Sequence, residues 1–195
     1  VLGWEAEPVK LLITPDGGAE QSPDEWWRAF LSAAGRLLKR EPAAAKRVVA
    51  ISSSTQGEGT VTVDKDGNAL SNCILWMDMR GAPHLKKQLG GLLNIDGASL
   101  DKVLRFINIT GGMPSMTGKD PAGHMLFIRD AQPEIYAKTH KFLNVLDYLN
   151  LRLTGRFVAT FDSILTSWVT DNRDPNLVHY NKGLISVLGL DAAKL

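Results

Sequence analysis

The sequence predicts an α/β domain in which helices cover a mixed sheet, and three observations carry that prediction. The stretch from Val48 to Arg80 alternates strand signals with turn chemistry and has no helical period. The chain on either side is mostly of helical period, opening with a capped segment at Ser22. At 195 residues, 44% of them hydrophobic and 22% charged, the chain is long enough for one sizeable core.

Taken in order, Val1-Leu2-Gly3-Trp4 and residues 9–13 read as strand material in need of partners. With a start at Val rather than Met, they predict a fragment whose first elements are missing. Thr14-Pro15-Asp16-Gly17-Gly18 is a turn. In Ser22-Pro23-Asp24-Glu25, Ser22 caps the free backbone N–H groups, Pro23 suits the first helical position and Glu25 completes a capping box. Trp27, Phe30, Leu31, Ala34, Leu37 and Leu38 then recur at helical spacing through about residue 40, so one apolar face should pack on a sheet and the tandem tryptophans read as core.

Val48 to Ile51 is an apolar, β-branched run that opens a buried strand expected over 48–53, and small polar residues lead from it to Gln56-Gly57-Glu58-Gly59, where two glycines permit close backbone approaches. Polar groups would project there from the end of a rigid strand. Residues 60–64 and 73–76 should pair beside it around an Asp66-Gly67 turn. Beyond Arg80, helices are expected at 82–93, 99–107, 121–131, 133–138, 145–153 and 176–188. The glycine- and proline-rich loop from Thr110 to Pro121 is the longest irregular segment and a candidate binding loop. No repeat or linker interrupts the chain, so residues 1–195 are expected to be a single domain.

Composition excludes several function classes. Lys+Arg 22 against Asp+Glu 21 leaves a net charge of +1, which implies neither a nucleic-acid nor an acidic-membrane partner. A single cysteine, Cys73, excludes an internal disulfide framework and fits a reducing cytoplasm. No apolar run approaches the roughly 18 residues that span a bilayer. Residues 112–119 resemble a phosphate loop, but the glycine spacing is one residue too long and Asp120 stands where a Ser or Thr is needed. Asp64, Asp66 and Asn68 imitate a calcium loop that then lacks its glycine and glutamate, so they read as turn. The four histidines have no metal-ligand spacing, and no metal site is expected.

Several stretches carry a resemblance. Glu20 to Trp27, Ile51 to Gly59, Val63 to Gly67, Ile74-Leu75-Trp76-Met77-Asp78-Met79-Arg80, Gln132 to Tyr136 and Asp147 to Gly155 occur in the order of the first domain of the FGGY carbohydrate kinases. The group contains xylulose, glycerol, erythritol and ribulose kinases. The resemblance implies an actin-like (ribonuclease H-like) fold without its first hairpin, and the sugar-binding half of a two-domain, cytoplasmic phosphotransferase. ATP and Mg2+ would serve the full-length enzyme, with none expected bound to this fragment and no catalytic residue in it. The partner implied is a small sugar or polyol, and a homodimer is compatible with it. The other reading is a non-catalytic sugar-binding or protein-interaction module on an inherited fold.

Carried over residue by residue, the resemblance implies substrate contacts at Gln56, Gly57, Glu58, Trp76, Asp78, Lys119 and Asp120. Xylulose kinases read Gln-Met-His-Gly in the first turn, whereas Gln56-Gly57-Glu58-Gly59 is closer to the Gln-Gly-Asp-Gly of erythritol-kinase-like members. For Glu58 the alternative is a solvated turn carboxylate. For Trp76 it is a core aromatic, and for Asp78 an ion pair with Arg80 bracing the strand end.

Overall fold

The structure, a computed structural model, describes residues 1–195. A turn between Thr14 and Gly18 joins β1 (Leu12–Ile13) to β2 (Ala19–Gln21), and α1 (Pro23–Arg40) starts where its cap was expected. Ser22 Oγ accepts from the Glu25 N–H at 3.3 Å, with Pro23 in the first turn, Asp24 and Glu25 at the positive end of the helix dipole and Lys39 and Arg40 at the other. The reciprocal half of the capping box is not made. Glu25 instead accepts from the Lys10 N–H at 3.3 Å, and Arg36 holds Glu5 and Glu7, so the N-terminal segment is strapped along α1. The helix also rotates the predicted core face. Trp26 packs on the sheet and donates to Gln21 Oε1 at 3.1 Å, whereas Trp27 stacks on Phe30 under Arg152, and Leu31 and Leu38 are exposed.

After the short α2 (Pro42–Ala45), residues 48–53 do not form the predicted strand. Val49 is 97% exposed, and residues 49–56 make no backbone–backbone hydrogen bond. A β-branched run becomes a strand only where a neighbour completes its ladder. Here β3 (Gly59–Val63) already has both edges occupied, by β4 (Cys73–Leu75) and by β7 (Lys141–Leu143). The five-stranded sheet runs β1-β2-β4-β3-β7 and every pair is antiparallel, so the expected mixed sheet is corrected to an antiparallel one. Thr60 pairs with Ile74 and Val61 with Leu143. The turn after β3 follows its chemistry: Asp64 Oδ1 accepts from the Asp66 and Asn68 N–H groups at 2.9 Å each, and Gly67 has φ 83°.

Helix α3 (Ala82–Leu89) stops at Gly90-Gly91, and a hairpin of β5 (Asn94–Ile95) and β6 (Ala98–Ser99) leads into α4 (Leu100–Thr110). The loop after Thr110 ends at α5 (Pro121–Ala131), followed by α6 (Pro133–Lys138), β7, α7 (Val145–Thr154) and α8 (Phe161–Leu165). The helix expected over 176–188 is shorter. Pairing of β8 (Thr170–Asp171) with β9 (His179–Tyr180) claims its first part, and Asn181 caps α9 (Lys182–Leu188) by accepting from the Leu184 N–H at 3.1 Å.

Two apolar clusters result, one of sheet side chains with Val145, Tyr148 and Leu151 of α7, the other among α3, α4, α5 and α9. Helix α5 lies between them. Ala122 and Leu126 enter the helical cluster, while His124 Nδ1 meets Thr60 Oγ1 of β3 at 3.0 Å. Its first turn fits because three glycines touch. A Cβ on Gly81 would lie 2.6 Å from Gly118 O, one on Gly123 also 2.6 Å from that oxygen, and one on Gly118 closer still to Ala82 N. Gly118 also has φ +77°. Gly118→Ala should therefore cost about 2–4 kcal/mol, from strain and backbone overlap that cannot relax. Gly35→Ala, in open space on α1, should stabilise by about 0.5–1 kcal/mol. Denaturant unfolding of both variants checks the pair; equal stabilities would refute the junction.

Candidate functional site

The residues predicted to bind substrate come from three places: the approach to β3, the end of β4 and the loop before α5. At the first, Gly59 opens β3 opposite Leu75 and sits so close to α7 that a Cβ would lie 2.7 Å from Val145 Cγ2. Gly57 O accepts from Asn144 Nδ2 at 3.4 Å. These contacts fix the backbone on both sides of Glu58. Gly57 itself is exposed, and a Cβ there would meet no atom within 4 Å, so its backbone can be approached closely. The Gln56 side chain is half-buried and uses none of its own hydrogen-bonding capacity within the chain.

Asp120 stands at the N-cap of α5 and is 8% exposed. It does not cap with its side chain, because Oδ2 takes the Ser115 N–H across the loop. Burial pushes its carboxyl above the ordinary range, while the Ser115 N–H and the nearby Trp168 indole hold it down. Glu58 is raised further, to about 7, first by burial and then by the charge of Asp120. Two carboxylates from separate loops are thus close enough to feel each other in a partly desolvated place. Lys119, the preceding residue, is half-buried and forms no ion pair.

The end of β4 behaves differently. Trp76 is 48% exposed, which removes the core-aromatic alternative. Asp78 is fully buried: Oδ2 accepts from the Ala19 N–H at 3.0 Å and Oδ1 from the Arg80 N–H at 2.9 Å. Arg80 Nη2 reaches Asp78 Oδ2 and Glu20 Oε1, both at 2.6 Å, and its guanidinium lies 4.6 Å from the Phe127 ring centroid. The carboxylate of Asp78 is spent on bracing β2 and α5, so the ion-pair reading replaces that of a substrate contact. His124 lies on α5, against β3. It is fully buried, and its pKa falls to about 4 because burial disfavours the cation, which makes it a neutral link to Thr60.

Sequence reasoning missed Trp168, which lies between α8 and β8 beside the loop that ends at Asp120; nothing in its local pattern marks it. A separate cavity of about 50 Å³ lies behind β3 and α5, with Gly59, Thr60, Pro121 and Asp147 in its wall. Neither Glu58 nor Asp120 lines it, so it is not their site.

Comparisons with known proteins show the family and the fold. The profile of the FGGY family of carbohydrate kinases, N-terminal domain, matches residues 1–195, and the chain belongs to that family. A xylulose kinase of Bacillus subtilis is 31% identical over 143 residues, covering 71% of this chain and 26% of the relative. A gluconokinase of the same organism is 26% identical over 154 residues, covering 77% and 27%. In three dimensions the chain matches a crystal structure of a xylulose kinase from Brucella ovis with a TM-score of 0.79 at 23% identity, covering 97% of this chain and 35% of that one. The fold is the actin-like α/β domain of these kinases, and the chain spans about a third or less of its relatives' length.

The raised pKa of Glu58 has a stability consequence. The folded chain holds this proton with a pKa of about 7 against 4.5 in the unfolded chain, so the stability it lends is full below pH 4.5 and is lost as the pH rises through 7. Glu58→Gln should therefore match the parent's melting temperature less well as the pH rises, exceeding it above pH 7, with the gap narrowest in acid. Parallel melting curves from pH 4 to 8.5 would identify Glu58 as a solvated turn carboxylate.

Proposed function

We propose that this chain is the sugar-binding portion of an ATP-dependent carbohydrate kinase that phosphorylates a hydroxyl of a small neutral ketose or polyol, xylulose-like or erythritol-like. The observation that carries the reading is that partly buried Glu58 and buried Asp120, from separate loops, lie close enough for the charge of Asp120 to raise the Glu58 pKa. Carboxylates accept hydrogen bonds from sugar hydroxyls, and such charge-assisted bonds orient as well as bind. Trp76, exposed next to Asp78, offers an apolar face for a carbon chain, and Gln56, the Gly57 backbone and Lys119 supply further polar groups. Two carboxylates also disfavour a sugar acid, so a neutral substrate fits better than gluconate.

The loop before α5 does not fit a nucleotide's phosphates. The loop from Gly111 to Asp120 turns its Ser115 N–H onto Asp120 and packs Gly118 against the start of α3, leaving no cradle for phosphates. No three His, Cys, Asp or Glu side chains converge into one group. In this reading ATP, Mg2+ and the catalytic base belong to the remainder of a longer parent enzyme. What this chain contributes to phosphoryl transfer is position: it fixes the hydroxyls of the substrate so that one of them faces the nucleotide. The reading extends to a cytoplasmic enzyme, with which a single, buried free thiol is compatible.

Titration calorimetry of the chain at pH 8 with D-xylulose, erythritol, glycerol and D-gluconate tests this reading. A neutral compound should bind more tightly than gluconate, and Glu58→Gln should weaken it about tenfold or more, the loss expected for a charged acceptor. The chain alone should show no turnover in a coupled ADP assay. Preference for gluconate, binding of no neutral compound, or turnover by the isolated chain would each overturn the proposal.

A further inference from the structure

Asp147 carries a cost that the fold leaves without compensation. It stands in the first turn of α7 and is 3% exposed, and its Oδ1 is buried with no hydrogen-bond partner. The helix N-terminus favours a carboxylate there, and the Ser163 hydroxyl and the Thr160 and Asn144 N–H groups act to lower its pKa. Burial outweighs them, so the pKa is raised, and none of them closes a bond to Oδ1. Nor does the charge meet an opposite one. Asp147 lies in the wall of the cavity of about 50 Å³ behind β3 and α5, and no Lys, Arg or His lines that cavity. Tyr180, in the same wall, has its phenol pushed up to about 12, by burial and by the charge of Asp147.

The rest of the wall supplies further acceptors. Thr166 and Ser167 both line the cavity and give their hydroxyl hydrogens to the Ser163 and Ile164 carbonyls, at 2.7 and 2.5 Å, so what they have left to offer is lone pairs. An anion would meet the carboxylate with no positive group to hold it. A divalent ion would find too few charges, since no three His, Cys, Asp or Glu side chains converge and one carboxylate neutralises only half of it. Water fits the volume but leaves the charge of Asp147 unbalanced. One positive charge among oxygen ligands balances it.

We propose that this cavity is a site for a monovalent cation, K+ or Na+, held by Asp147 Oδ1 together with hydroxyl oxygens of the wall. The bound ion completes an acceptor that folding leaves empty. It also ties the start of β3, which lines the cavity at Gly59 and Thr60, to the first turn of α7 and to Ser163 of α8. Gly59 and Asn144 in that wall are the residues whose contacts fix the backbone on both sides of Glu58.

The test is the melting temperature of the chain, without sugar, in potassium, sodium and tetramethylammonium chloride at one ionic strength; the methyl groups of the last cation keep oxygen ligands away from its charge. Potassium or sodium should raise it by about 3–6 °C at a concentration about tenfold above the Kd of the ion. Asp147→Asn keeps the shape and removes the charge. It should abolish the difference between the salts, and in tetramethylammonium chloride it should melt at or above the parent, because a buried charge without a partner has gone. A carboxylate that serves only to start α7 predicts the reverse, no preference among the salts and a variant less stable in all of them. A crystal structure of the unmodified chain, grown in whichever salt stabilises it, needs no variant to fold and should place the ion on Asp147 Oδ1. Equal melting temperatures in the three salts, a preference that Asp147→Asn retains, or a cavity holding water only would each overturn the proposal.

Discussion

The contact among Gly81, Gly118 and Gly123 is the constraint on which the rest of the site depends. Helix α5 must enter the molecule between the sheet and the helical cluster, and its first turn meets the start of α3 and the preceding loop backbone to backbone, at separations that admit no side chain. That approach puts Asp120 at the head of α5, turned into the loop toward the Ser115 N–H and near Glu58. A Cβ at any of the three positions would lie 2.0–2.6 Å from backbone atoms of the others' segments, so the loop that carries Asp120 would have to shift. Protein interiors do not absorb such a displacement without cost, being packed as densely as organic crystals.

A second network holds the opposite side. Asp78, Arg80 and Glu20 join β2 to the end of β4, and the Arg80 guanidinium lies over Phe127 of α5. Breaking a buried pair of this kind by removing one partner is far more damaging than its net contribution suggests, because a charge is left uncompensated. His124, neutral and bonded to Thr60, completes the link between α5 and β3. The bracing thus falls to Asp78, Arg80, Glu20 and the His124–Thr60 contact, while the Glu58 and Asp120 carboxylates are left out of it.

Much of the fold was legible because its signals are local. Ser22 and Pro23 start α1, Pro121 and Pro133 start α5 and α6, and Asp64 to Gly67 close the turn between β3 and β4. The failures concern relations between distant segments. Residues 48–53 have the composition of a strand but find no ladder partner, and β7 is only three residues long, recognisable as a strand only by its pairing with β3. Residues 179 and 180 look helical by pattern until β8 claims them. At the site, the positions of Glu58 and Asp120 could be anticipated from their loops. The choice between two roles for Asp78 could not, since it turns on the Ala19 N–H, 59 residues away in sequence.

The central claim is that the glycine junction brings Asp120 close enough to Glu58 for their charges to interact in a partly desolvated site. Carboxyl-carbon NMR titration of Glu58, in the parent chain and in Asp120→Asn, measures this directly. The account predicts a midpoint near 7 in the parent and a lower one in the variant, still above 4.5 because burial is the larger cause. A Glu58 midpoint at the ordinary value, or one indifferent to Asp120→Asn, would contradict it.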